Sequence, residues 1–225
     1  HPTRHFNMIE ILISISIIVA VTAVAGTSYH KRYMESRISF AKIELNLVQQ
    51  AIILYNARVG RYPIYFEQLV ESGDLTSRMK HDPWGYEYIF VPHVDWLRLV
   101  EILDAGQKQN TANKQSSVLQ EQQLRYIIEC IAALAKVLGS LPEFIDPMLV
   151  ISVSSATAFV ISVGNQTMIL PSDLVEEDER QRERIKQVAF LLKAAREKAA
   201  GNLALQTAMD SINTHLSQQR KTKSE

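Results

Sequence analysis

The stretch RHFNMIEILISISIIVAVTAVAGTSYHKRYMESRISFAKIELNLVQQAIILYNARVG, residues 4–60, decides how the rest of the chain is read. Residues 11–29 carry no charge, and Phe6, Met8 and Ile9 extend the apolar run toward the N-terminus. This is close to the ~20 residues that a helix needs to cross a bilayer. Arg4 precedes the run, and Lys31 and Arg32 follow it. Beyond Tyr33 the pattern changes. Met34, Ile38, Ala41, Leu45, Val48, Ile52 and Tyr55 recur at alternating steps of four and three, which is one stripe of an α-helix. No Pro interrupts residues 6–59 and Gly26 is the one Gly, so a single helix of about 50 residues, roughly 75 Å long, is expected.

Three readings compete for the apolar run. Ala23-Val24-Ala25 resembles the cleavage site of a secretory signal. A buried core helix is also apolar, but it rarely lacks polar residues on every face. A retained membrane helix is favoured, because the periodic pattern runs on without a break. Gly60 is placed to end the helix as a left-handed cap, and Pro63 prevents its resumption.

Outward from this helix, a short helix is expected over residues 66–71, then a turn at Asp82-Pro83-Trp84-Gly85. Residues 86–91 and 94–103 are rich in aromatic and β-branched side chains and read as two strands. Residues 104–117 are nearly free of apolar side chains and are the best linker candidate. A helix over 118–138 follows, then three strands near 149–153, 158–163 and 166–170, the last two joined at Gly164-Asn165. Asp173 and Glu176 have capping-box spacing and would open a long helix that is expected to break at Gly201. The chain begins with His1 and not Met, so a few residues are expected upstream.

The composition excludes some functions. Lys plus Arg and Asp plus Glu number 24 each across 225 residues, with 11 of each sign in residues 1–112 and 13 in residues 113–225. No basic footprint for nucleic acid is present. Cys130 is the one cysteine and reads as a buried thiol. The six His show no metal-ligand spacing, and neither a Gly-rich phosphate loop nor a Gly-x-Ser-x-Gly elbow occurs, so no enzyme is expected.

The segment Arg4-His5-Phe6-Asn7-Met8-Ile9-Glu10 resembles the N-terminus of type IV pilins and type II secretion pseudopilins. In that family a basic leader is cut before a Phe that becomes methylated, and a Glu stands fifth. Phe6 and Glu10 match those positions, while His5 stands where the family has Gly. Gly60-Arg61-Tyr62-Pro63 and Asp82-Pro83-Trp84-Gly85, in that order, resemble the paired signatures of the G-type major pseudopilin, so the likeness covers about residues 4–106.

The resemblance implies a filament subunit cut by a prepilin peptidase, with Glu10 neutralising the Phe6 amine of a neighbour. It also implies a single pass through the inner membrane, a periplasmic globular part, and other pseudopilins and inner-membrane secretion components as partners. That family commonly holds calcium after its strands, but only Asp104 could correspond here and residues 105–120 contain no Asp or Glu, so no metal is expected. Residues 118–198 more loosely resemble the β domain of the FtsQ/DivIB division proteins, whose alternative role is a monomeric membrane-anchored scaffold.

The expected fold class is therefore α+β: a long membrane-spanning helix packed on a small antiparallel sheet in the pilin manner, then a second small α+β domain. Its parts are a leader remnant at 1–5, a transmembrane helix at 6–30, a pilin-like domain at 31–106, a linker at 107–117 and a self-folding interaction domain at 118–225.

Overall fold

The computed structural model describes residues 8–108, 114–164, 167–174, 178–199 and 202–222. Helix α1 spans Met8–Val59, one uninterrupted element of 52 residues. The chain divides into two compact units, His1–Phe40 and Ala41–Glu225.

Within the first unit, residues 8–23 of α1 carry apolar side chains on every side and are exposed, with Met8, Leu12, Ile17, Ile18 and Val21 each 59–79% accessible. In the second unit the four-and-three stripe is what packs: Ala41, Leu45, Val48, Ile52 and Tyr55 are buried. Polar contacts hold this half in place. Gln49 Nε2 donates to Thr157 Oγ1 and to the Ala158 carbonyl, both at 3.3 Å, and the Tyr88 hydroxyl donates to Glu44 at 2.8 Å. Gly60 ends the helix at φ 77°, its N–H bonding the Asn56 carbonyl at 2.8 Å.

The rest of the second unit is mainly helical. Helix α2 is Phe66–Glu71, α3 Trp96–Lys108, α4 Lys114–Ser140, α5 Pro147–Ser154, α6 Asp178–Lys198 and α7 Leu203–Thr222. The strands β1, Ile89–Val91, and β2, Phe159–Ile161, pair antiparallel with Phe90 opposite Val160. Helix α4 packs along α7, α3 along α6, and β1 against α4.

This overturns the expected fold class. The structure is mostly helical with a two-stranded sheet, and two stretches expected as strands are helices. Residues 96–108 form α3 because Asp95 caps them: its carboxylate accepts the Arg98 N–H at 2.9 Å, while Trp96, Leu99 and Ile102 turn inward at helical spacing. Residues 147–154 form α5 because Asp146 accepts the Met148 N–H at 2.9 Å and Pro147 occupies the first turn. A continuous apolar run is ambiguous between buried strand and buried helix, and here the cap decides.

The membrane-spanning part of the expectation also fails: among the described residues no helix is long and apolar enough to cross a membrane. Glu10, a carboxylate, lies in the first turn of α1.

Nor does a separately packed second domain follow residues 107–117. One apolar cluster takes Ile64, Val91, Trp96 and Leu99 from one side of that stretch and Ile131, Leu134, Phe159 and Leu205 from the other. The sheet itself pairs one strand from each side. Of the expected final hairpin, an antiparallel bridge between Ser162 and Ile169 is present, and Asn165 lies outside the described residues, as does Glu176 of the expected capping box.

Candidate functional site

The residues singled out by sequence fall into two groups with different physical characters. His5 and Phe6 lie outside the described residues. Glu10 lies in the first turn of α1, exposed, and among the described residues its carboxylate forms no ion pair.

The polar side chains that follow are satisfied by their own helix. Ser14 Oγ donates to the Glu10 carbonyl at 2.7 Å, Ser16 Oγ to the Leu12 carbonyl at 2.8 Å, and Thr22 Oγ1 to the Ile18 carbonyl. A hydroxyl bonded in this way adds little to the cost of burial, which is high only for an unpartnered polar group. Between Met8 and Ala23, Glu10 is the single ionisable side chain. The arrangement is a rod that can be packed on every side, with one carboxylate near its end.

The two turn motifs are structural. Asp82, 5% exposed, organises the second one. One carboxylate oxygen accepts the N–H groups of Trp84 at 3.0 Å and Tyr86 at 2.8 Å, and the other accepts the buried Ser162 hydroxyl at 2.8 Å. Pro83 is half-buried in the turn, and Gly85 takes φ 89°, which a side chain rarely adopts. Trp84 lies flat against Gly164, where an added Cβ would stand 2.1 Å from its ring.

In the first motif, after the Gly60 cap, the Tyr62 carbonyl accepts the Tyr126 hydroxyl at 2.7 Å and the Tyr62 ring meets His93 edge-on at 4.7 Å. Pro63 is buried. Both motifs therefore tie the segment after α1 to α4 and to the end of β2. Sequence reading missed these ties, because nothing local in residues 82–85 points to Ser162, eighty residues away.

His93 donates from Nδ1 to the Ser154 carbonyl at 2.9 Å, and burial holds its pKa below the ordinary value. Burial likewise pushes the Cys130 thiol up to about 11, so at neutral pH it is an unreactive core side chain. Asp104 pairs with Lys198 at 2.5 Å, and no group of three or more potential metal ligands occurs among the described residues. An open groove of about 800 Å³ is lined by Arg61, Tyr62, His93, Arg98, Gln123 and Tyr126 among others. In it Asp95 caps α3, and Arg98 is engaged by Glu101 at 3.0 Å.

No protein-family model, curated protein or solved structure matches this chain.

Proposed function

We propose that the protein is a structural filament subunit of the pilin-like kind, which assembles with copies of itself by packing the apolar first half of α1. The observation that carries this reading is the all-round exposure of that half: Ile9, Leu12, Ile13, Ile17, Ile18 and Val21 are each 54–64% accessible. Water-facing apolar surface on this scale marks an interaction site. The self-satisfied hydroxyls of Ser14, Ser16 and Thr22 add support, since they make the rod compatible with complete burial.

The N-terminal likeness to pseudopilins supplies the finer reading. The chain would be cut ahead of Phe6 by a prepilin peptidase and would work beside other pseudopilins and inner-membrane secretion components. Glu10 of one subunit would then neutralise the Phe6 amine of the next. An isolated buried charge costs several kcal/mol, so pairing the two decides whether the rods can pack.

Glu10→Leu tests this directly. It suits an apolar helix, so folding of the Ala41–Glu225 unit is expected to be unchanged by circular dichroism, whereas the yield of sheared filaments collapses. Glu10→Asp, one methylene shorter, should retain part of the yield. Normal filaments from Glu10→Leu would remove the pairing. A chain that stays monomeric whatever stands at position 10 would instead favour the monomeric scaffold suggested by the FtsQ/DivIB likeness.

A further inference from the structure

The open groove at the C-terminal end of α1 lies wholly within the Ala41–Glu225 unit, and the fold ties its floor together. The Tyr126 hydroxyl donates to the Tyr62 carbonyl at 2.7 Å, the Tyr62 ring meets His93 at 4.7 Å, and the Arg61 guanidinium carbon stands 5.7 Å from the centre of the Tyr126 ring. The chain after Gly60, the segment ahead of α3, and α4 are thereby held in one arrangement. Two cations line the groove, and they differ. Arg98 is engaged by Glu101 at 3.0 Å and by Gln123 at 3.2 Å, whereas Arg61 forms no ion pair among the described residues. Asp95, the carboxylate of the lining, accepts the Arg98 N–H at the start of α3, where the positive end of the helix offsets its charge.

His93 adds a group of fixed polarity. A carbonyl can only accept, so the Nδ1 that bonds the Ser154 carbonyl carries the proton. Burial keeps the ring neutral, which leaves Nε2 with a bare lone pair. Nε2 stands on the opposite side of the ring, has no hydrogen-bond partner among the described residues and is open to solvent. The groove also has an apolar wall, where Val59 is 42% and Leu119 64% exposed. Its volume of about 800 Å³ is in the range that takes up a small ligand.

We infer that this groove binds the C-terminal end of a peptide whose last residue is apolar. Three groups on the protein select that chemistry. The free Arg61 guanidinium takes an anion, and its planar fork suits a carboxylate. The Nε2 lone pair of His93 asks for a donor, which the N–H of the last peptide bond supplies. Val59 and Leu119 cover an apolar side chain. A phosphate would satisfy Arg61 and leave the apolar wall bare. An amine would meet an uncompensated guanidinium. An α-carboxylate, an amide N–H and an apolar side chain stand side by side at a peptide C-terminus, and the protein offers one partner for each. The site goes beyond the filament reading and does not depend on it, since no residue before Asn56 takes part.

Titration calorimetry of the full chain in detergent micelles tests this with acetyl-Ala-Ala-Leu as the probe. The free acid should bind, and its C-terminal amide should bind about tenfold or more weakly, the worth of a charge-assisted hydrogen bond. Arg61→Gln, an exposed change that thermal unfolding should not register, is expected to lower affinity for the acid to that of the amide and to leave the amide as it was. Lys136→Gln, an exposed cation outside the groove, should change neither. The analogue with an ester in place of the last amide lacks the N–H and should bind more weakly than the acid, and acetyl-Ala-Ala-Ser should do the same for want of an apolar side chain. Acetyl-leucine alone should also be weaker than the tripeptide. Equal affinity for acid and amide, wild-type affinity in Arg61→Gln, or no heat from the tripeptide at millimolar concentration overturns the site. Acetyl-leucine binding as tightly as the tripeptide would overturn the peptide and put a small acylated amino acid in its place.

Discussion

Residues 8–23 and residues 41–55 belong to the same helix and have almost nothing else in common. In the second stretch Leu45, Val48 and Ile52 are fully buried, while Lys42, Gln50 and Leu54 remain outside. Tertiary packing uses one side of that stretch, and the polar contacts from Thr157, Ala158 and Tyr88 lock its rotation. In the first stretch no side is preferred, every large side chain is exposed, and the hydroxyls turn back on their own backbone. A helix stabilised by its own fold needs only one apolar stripe. A helix apolar all round has no reason to be so unless something outside its own fold surrounds it.

The sharpest way to break this comparison is to place a carboxylate in each stretch. Ile52→Asp puts an unpaired charge where accessibility is zero. The cost of about 3–5 kcal/mol is a large part of the stability of a typical domain, so thermal unfolding of the Ala41–Glu225 unit should drop steeply or the chain should fail to fold. Ile13→Asp, at a position 54% exposed, should leave that unfolding transition within about 0.5 kcal/mol of wild type and abolish assembly. Equal losses of stability from the two variants would mean that the first stretch is part of the folded core.

A smaller effect is expected where the docked unit is closed by the Trp84–Gly164 contact. Gly164→Ala brings a Cβ to 2.1 Å from the indole ring. Forcing a group into a packed site costs about 1–3 kcal/mol. Calorimetry should show this loss, and Trp84→Ala combined with Gly164→Ala should lose less than the sum of the two single changes, because the clash disappears with the ring. Strict additivity would show that the two residues do not share the contact. Assembly through residues 8–23 should be untouched as long as the unit folds.

The same contrast explains what the sequence made legible. Helix α1, α2 at Phe66–Glu71 and the left-handed Gly60 could be read because local patterns decide them: a stripe, a short amphipathic run, a cap. Helices α3 and α5 were masked by β-branched and aromatic content, although Asp95 and Asp146-Pro147 were start signals in plain view. Buried on most sides, α5 shows no periodicity, and burial on all sides erases the pattern that tells helix from strand. The pairing of β1 with β2 was not legible at all. It depends on contacts such as Asp82 to Ser162 that join segments eighty residues apart. Of the candidate site, Glu10 and the apolar rod could be read directly, whereas the structural duty of Asp82 and Trp84 could not.

The gentlest test separates the two regions by pH. The docked unit contains His93, half-buried against Tyr62 and bonded through Nδ1 to the Ser154 carbonyl, with Asp95 as the nearby carboxylate. Burial dominates over the carbonyl and over Asp95, so the folded chain holds the imidazole neutral and its pKa lies below the ordinary value. A folded pKa that is depressed means that the unfolded chain binds the proton more readily, so stability must rise with pH across the interval between the two values. The contribution is complete above the unfolded value of about 6.5 and is lost as pH falls through the lowered folded value. His93→Gln removes the titration, and the difference between wild-type and variant stability should change across that interval and be flat above it. The direction isolates the imidazole, because carboxylates titrate lower and contribute equally to both chains. Assembly should not follow the same curve, since residues 8–23 contain no histidine. A stability difference that is flat from pH 7 to the carboxylate range would show that His93 is as solvated in the folded chain as in the unfolded one.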